Sequence, residues 1–273
     1  MSAKADLVTD VADGLPTLVV GDWAPEKLHR LERYIDCARE ARRKFPIRTY
    51  IDLFCGAGRV QLRKTKEFMD GSPVAAWKIS RDKGVPFTSV FVADADESRA
   101  NTCERRLRAL DAPVTAIFGE AEATAARVAG QLDRRGLHLA FLDPYNIGAL
   151  TFAAIKTLAK LEHMDLIVHF STHDLTRNLV TYLRNKDPRL EKFAPGWETA
   201  IDIRQSSEST RFDFMTYWIS CVERLGLICA PDLPSITNNR KQSLYRLAFF
   251  SRAQLAIKLW KDAGRLVKQG NLF

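Results

Sequence analysis

The sequence predicts an α/β protein built on a doubly wound, mainly parallel, seven-stranded sheet with helices on both faces. Two observations predict it. Short apolar runs alternate with helix-length amphipathic segments along most of the chain, and parallel sheets covered on both faces have that pattern. Two of the apolar runs also end in loops able to carry chemistry. One breaks into Cys55-Gly56-Ala57-Gly58, and the other into Asp143-Pro144-Tyr145-Asn146.

Each element follows from its spacing. Residues 26–44 place Leu28, Leu31, Tyr34, Ile35 and Ala38 on one helical face and stop before Pro46. Strands are then expected at 49–54, 88–93, 114–118, 138–142 and 164–170, separated by helices at 72–81, 97–110, 121–132 and 149–161. Residues 175–210 mix Arg, Asn, Pro195 and Gly196 and read as helix plus an irregular insert. A helix at 212–225, strands at 227–230 and 244–251 and a closing helix at 253–267 complete the pattern, the last two strands forming an antiparallel pair at one edge. Phe212, Phe214, Tyr217 and Trp218 recur at helical spacing and read as core.

Length and composition bound the function. The 273 residues are 46% hydrophobic and 27% charged, which suits one large domain, expected at 26–273 behind a mobile leader at 1–25. No apolar run approaches the roughly 20 residues of a membrane span, and the N-terminus has no apolar signal core, so a cytoplasmic location is expected. Five scattered cysteines without a CxxC pair argue for reduced thiols and against a zinc or iron–sulfur site. Forty-one Lys and Arg against 33 Asp and Glu give a net charge of +8, which lets the protein approach a polyanion without identifying one. The basic runs are interspersed with Glu32, Asp36, Glu40 and Glu67, and a solvated helix face explains them equally well.

The glycine turn implies a nucleotide-like ligand. Gly56 and Gly58 free the backbone to approach it, Phe54 lies beside it, and Asp52 sits at the strand end as an acceptor toward it. A phosphate-binding loop would need GxxxxGK[ST], and a dinucleotide fingerprint would need a third glycine where Gln61 stands. An acid at the end of the next strand, Asp94 followed by Ala95, suits two ribose hydroxyls; Asp96 alternatively caps the next helix and leaves Asp94 a turn residue. Gly119-Glu120 ends the third strand, where it would meet an adenine amino group.

Asp143, Pro144, Tyr145 and Asn146 are the candidates for the reacting end: a carboxylate, a stiff turn, a ring face and an amide. Methyl transfer asks mainly for an aligned nucleophile and a desolvated pocket, so positioning groups suffice. Asp143 alternatively only orders its loop. His169 and His173 straddle a strand end, no HExxH is present, and no metal site is expected. Cys55 reads as a small residue filling the turn, and Ser171-Thr172-His173-Asp174 lacks the GxSxG elbow of a hydrolase.

With these motifs the chain resembles the three-Cys-motif partner protein family (TcmP). The resemblance rests on Tyr50 to Gly58, on Gly71-Ser72-Pro73, on Phe91-Val92-Ala93-Asp94 and on Phe141 to Asn146. Asp165-Leu166-Ile167-Val168, Arg177-Asn178 and a C-terminal strand and helix ending near Trp260 complete it. It implies a Rossmann-like, class I methyltransferase fold, S-adenosylmethionine as cofactor, a phage-associated setting and a partner with a three-cysteine motif of the radical-S-adenosylmethionine kind. The loop departs from the Asp-Pro-Phe-Gly common in the family and from the Asp-Pro-Pro-Tyr of adenine-N6 methyltransferases. Three readings therefore stand side by side: an amino-directed methyltransferase acting on nucleic acid, a non-catalytic partner subunit of the same fold, and a metal-dependent nuclease using Asp143 with His173-Asp174.

Overall fold

The computed structural model describes residues 6–237 and 243–270. Residues 1–5 of the expected leader and the last residues of the expected domain, 271–273, lie outside them. The strands in chain order are β1 (Leu7–Thr9), β2 (Pro16–Val20), β3 (Arg48–Asp52), β4 (Arg59–Leu62), β5 (Phe68–Asp70) and β6 (Ser89–Asp94). They continue with β7 (Val114–Phe118), β8 (Leu137–Leu142), β9 (Met164–Phe170), β10 (Ile228–Cys229), β11 (Ser235–Thr237) and β12 (Ser243–Ser251).

The main sheet runs β10-β12-β9-β8-β3-β6-β7, with β11 paired to β12, so it holds eight strands among the described residues rather than seven. Strands β7, β6, β3, β8 and β9 are parallel neighbours. β12 is antiparallel to both β9 and β10, which is the expected antiparallel edge. The strand added to the expectation is Ser235–Thr237, three residues that offer too short an alternation to be read.

Side-chain alternation splits each strand between two cores. Ile51, Ala93, Ala140, Leu142, Leu166 and Val168 pack on one face with the helix Phe152–Leu158. Tyr50, Val90, Val92, Leu139, Phe141 and Ile167 pack on the other with the helices Ala24–Cys37 and Gln254–Gly270. Burial on both faces explains the near-continuous apolar runs.

The start of the chain differs from the expectation. Residues 7–20 are not a loose leader: β1 and β2 form an antiparallel hairpin, and β2 pairs in parallel with β4 to build a second sheet in the order β1-β2-β4-β5. Asp10 and Thr17 are fully buried within it. The insert is likewise ordered into the helices Thr172–Arg184, Pro188–Phe193 and Trp197–Ala200, which bury Leu179, Tyr182, Leu190, Phe193 and Trp197. In the helix Ser207–Glu223, Phe214 and Trp218 are core as expected and Tyr217 is half-buried, but Phe212 is 62% exposed. The helix expected at 149–161 is cut to Phe152–Leu158, because Thr151 accepts from the Ala154 N–H and starts it late.

Candidate functional site

The carboxyl ends of β3, β6, β7 and β8 meet in one cleft of ≈ 500 Å³. Phe54, Gly56, Asp94, Ala95, Gly119, Glu120, Asp143 and Tyr145 all line it. Parallel neighbours in register bring the loops after these strands together, which is where doubly wound sheets bind ligands. Leu18, Val19 and Val20 of β2 and the side chain of Arg99 complete the wall.

Gly56 and Gly58 both have positive φ, +54° and +81°. Their roles differ. A Cβ on Gly56 would stand 3.2 Å from Leu18 Cδ1 at the cleft wall, whereas one on Gly58 would press on Cys103 Sγ and Cα at 3.1 and 3.2 Å, away from the cleft lining. Cys55 is buried with its thiol pushed well up by burial, then by Cys103, which makes it a filler of the turn rather than a nucleophile.

Asp94 faces the cleft with its carboxylate pinned: Oδ2 accepts the Gly56 N–H at 3.1 Å and Oδ1 the Asp96 N–H at 2.9 Å. Burial raises its carboxyl against the lowering pull of those N–H groups and Arg99. Each oxygen keeps acceptor capacity for a ligand hydroxyl. Asp96 does cap the helix Glu97–Arg108 through the Ser98 and Arg99 N–H groups, so the capping role and the cleft role belong to two different acids.

Asp52 lies beneath the cleft, fully buried, and does not line it. Its Oδ1 accepts the Phe54 N–H at 3.0 Å, and its Oδ2 accepts from Ser72 Oγ at 2.6 Å and Tyr50 Oη at 3.2 Å. Burial, offset in part by these donors, pushes its carboxyl up to about 7. The residue expected to meet a ligand instead joins β3 to the start of the helix Ser72–Asp82.

At the other end of the cleft, Asp143 is bracketed by two side chains from distant elements. Lys27 Nζ, from the helix Ala24–Cys37, donates to Oδ2, and His169 Nδ1, from β9, donates to Oδ1. Burial would raise the Asp143 carboxyl, but the Lys27 ammonium and the His169 imidazole override it and hold it well below the usual carboxylate range. Burial also keeps His169 depressed, against the opposing pull of Asp143. His169 Nε2 and Tyr245 Oη, whose ring centroids stand 3.5 Å apart, are both buried without a hydrogen-bond partner among the described residues.

The rest of the acid-proline loop divides. Tyr145 is 77% exposed at the rim of the cleft. Pro144 is buried, and Asn146 Oδ1 caps the short turn Ile147–Ala149 by accepting the Ala149 N–H at 3.0 Å, so neither lines the cleft. Asp174 is spent on structure: it accepts from the Ile147 N–H, Asn178 and Tyr182 and ties the loop to the helix Thr172–Arg184. Lys27, His169 and Leu18 to Val20 were not legible as site residues. The only signal was His169 closing an apolar strand beside the one that ends at Asp143.

A second cavity of ≈ 350 Å³ opens at the opposite edge, among Tyr34, Phe45, Phe87, Leu137, His163 and Asp165. It sits at the amino ends of β8 and β9, away from both loops.

No protein-family profile matches the chain, and no curated protein matches it. Among solved structures, it is similar to the methyltransferase domain of bacterial CtHen1 (16% identity, 82% of this chain and 98% of that one, TM-score 0.45). It is also similar to cofactor-bound Rv0187 from MTB (13% identity, 82% and 80%, TM-score 0.45). A third similar structure is the carbon methyltransferase DszA (10% identity, 78% of this chain and 50% of that one, TM-score 0.43).

Proposed function

We propose that the protein is an S-adenosylmethionine-dependent methyltransferase. One observation carries the reading: a single cleft at the carboxyl ends of the parallel strands joins the Gly56 turn, Asp94 and Glu120 at one end to Asp143 and Tyr145 at the other. The residues fit an adenosine cofactor without phosphates. The Gly56 N–H, which a phosphate would need, is already given to Asp94, and four acids, Asp94, Asp96, Glu120 and Asp143, outnumber the one cation, Arg99, among the lining residues.

In this reading Asp94 accepts the ribose hydroxyls, Gly119 and Glu120 meet the adenine edge, and Leu18 to Val20 cover the ligand with an apolar wall. S-adenosylmethionine, when bound, supplies an electrophilic methyl group on a sulfonium. Tyr145 offers its ring face to the acceptor. Asp143 does not act as a free carboxylate; it orients Lys27 and fixes His169 with the proton on Nδ1, leaving Nε2 as a lone-pair acceptor. An amine of a nucleic acid is the proposed acceptor, supported by the net charge of +8 and by the exposed Tyr145 ring. A protein with a three-cysteine motif of the radical-S-adenosylmethionine kind is the proposed partner, supported by the motifs from Tyr50 to Gly58 and Phe141 to Asn146.

A second reading is favoured by the same Asp143. Both its oxygens are engaged within the chain, which suits a subunit that holds the cofactor fold for a partner and transfers no methyl. The nuclease reading loses its pair, because Asp174 is 8% exposed and bonded on both oxygens. Calorimetric titration with S-adenosylhomocysteine, followed by labelled methyl transfer to DNA, RNA and protein fractions, separates the readings. Binding with transfer supports the enzyme, binding alone supports the subunit, and no binding by the folded protein removes both.

A further inference from the structure

The hairpin β1-β2 and the glycine turn are held by one side chain. Arg106, in the last turn of the helix Glu97–Arg108, is almost wholly buried and spreads its guanidinium between them. Nη1 donates to Ala57 O at 2.7 Å, between the two positive-φ glycines, and to Pro16 O at 3.0 Å. Nη2 donates to Thr17 Oγ1 at 2.8 Å, Leu15 O at 3.2 Å and Asp13 Oδ1 at 3.0 Å, and Nε donates to Asp13 Oδ2 at 2.7 Å. Every N–H of the fork is used, and only a planar five-donor group can reach both segments at once.

A second arginine repeats the device one strand away. Arg59 Nε bonds the buried Asp10 at 2.6 Å and its Nη1 bonds Asp70 at 2.7 Å, tying the hairpin to β4 and β5. Thr17, at the centre of the Arg106 network, immediately precedes the cleft-lining Leu18, and a Cβ on Gly56 would touch Leu18 at 3.2 Å. The hairpin is thus built against the turn rather than draped over it.

We propose that Arg106 is a positioning residue of the cofactor cleft, and that the hairpin it clasps is a fixed wall presenting Leu18, Val19 and Val20 to the bound methyl donor. This rests on the reading of the cleft as a cofactor site. A wall held by buried, charge-assisted bonds keeps its apolar face in place before the ligand arrives, so ordering it costs binding little. The wall carries no cation into the cleft, which selects a phosphate-free adenosine ligand over a nucleotide phosphate.

The test is titration of the full chain with S-adenosylhomocysteine, using wild type, Arg106→Lys and Leu18→Asp, with circular dichroism to establish folding. Arg106→Lys, which keeps the charge and loses the fork, is expected to weaken binding by about 30-fold. Leu18→Asp, at a half-buried cleft position, is expected to weaken it by a similar factor, and decides alone should the arginine variant not fold. Hydrogen exchange adds a readout that a merely structural arginine would not move: the ligand slows exchange at the amides of Thr17 to Val20 in wild type and fails to do so in Arg106→Lys. Folded variants that bind within about a factor of two of wild type overturn the proposal and leave the cofactor reading standing. Wild type that does not bind overturns the cofactor reading, and the wall falls with it.

Discussion

Ser72 Oγ donates to Asp52 Oδ2 at 2.6 Å inside the protein, and that bond holds Asp52 beneath the cleft lining as part of the fold. Burial pushes its carboxyl from the ordinary 3.8 up to about 7, so in that interval the folded protein holds a proton that the unfolded chain has released. Its contribution therefore falls as pH rises from about 4 to about 7 and is level above. Asp52→Asn removes the titration. Its unfolding free energy relative to wild type should climb across that window by roughly 4 kcal/mol, while affinity for S-adenosylhomocysteine is retained. Denaturant unfolding at a series of pH values checks this; a difference that stays flat with pH refutes it.

Asp94 combines the backbone-pinning duty that Asp52 also has with a place in the cleft lining that Asp52 lacks. Its removal frees the Gly56 and Asp96 N–H groups and deletes the acceptor in the cleft. Asp94→Ala should weaken S-adenosylhomocysteine binding by about a hundredfold and lower stability by roughly 1–2 kcal/mol. Calorimetry and melting read the two separately, and an unchanged affinity would count against Asp94 as a ligand residue.

The five parallel strands and their helices were legible because each strand is a largely apolar run, and all but the edge strand β7 are buried on both faces, so local pattern and tertiary placement agree. That Asp94 and Asp143 come to the same cleft was legible for the related reason that they end such runs. The second sheet was not. Its strands β1, β4 and β5 are three or four residues long, and the partners that anchor them are remote: Asp10 to Arg59, Asp13 to Arg106. The bracket on Asp143 was hidden in the same way, since Lys27 lies 116 residues and His169 26 residues from it. Asp52 misled because a strand-end carboxylate reads alike whether it points outward or into Ser72.

Two glycines outside the cleft lining separate clash from backbone strain. Gly58 (φ +81°) is wedged against Cys103, while Gly84 (φ +72°) has nothing within 4 Å of its missing Cβ. Gly84→Ala should cost roughly 1 kcal/mol of stability, and Gly58→Ala roughly 2–3 kcal/mol, since it adds a contact at 3.1 Å to the same strain. Equal losses in denaturant unfolding would mean that the Cys103 contact yields freely.

Tyr145 is expected to matter to the acceptor and not to the fold. With 77% of its surface exposed, Tyr145→Ala should shift stability by no more than about 0.5 kcal/mol. If its ring stacks on a base, labelled methyl transfer to nucleic acid should fall by about tenfold or more with cofactor affinity unchanged. Transfer at the wild-type rate would remove Tyr145 from the acceptor site.

Lys27 and His169 compete for the charge state around Asp143. Burial first, then the Lys27 ammonium, hold His169 below its ordinary 6.5, while Asp143 pulls it up. Lys27→Met deletes the repelling cation and leaves the attracting carboxylate, so the His169 titration midpoint should move up. The sign for stability follows. In wild type the unfolded chain takes up a proton below about pH 6.5 that folded His169 refuses, so this group costs stability as the solution is acidified, and in the variant that loss shrinks. At neutral pH the variant should still be less stable by roughly 3 kcal/mol, because Asp143 keeps one partner in place of two in a buried setting. Histidine-selective NMR titration reads the midpoint directly, and a His169 resonance that titrates at the same pH in both proteins would show that Lys27 and His169 are not electrostatically coupled through Asp143.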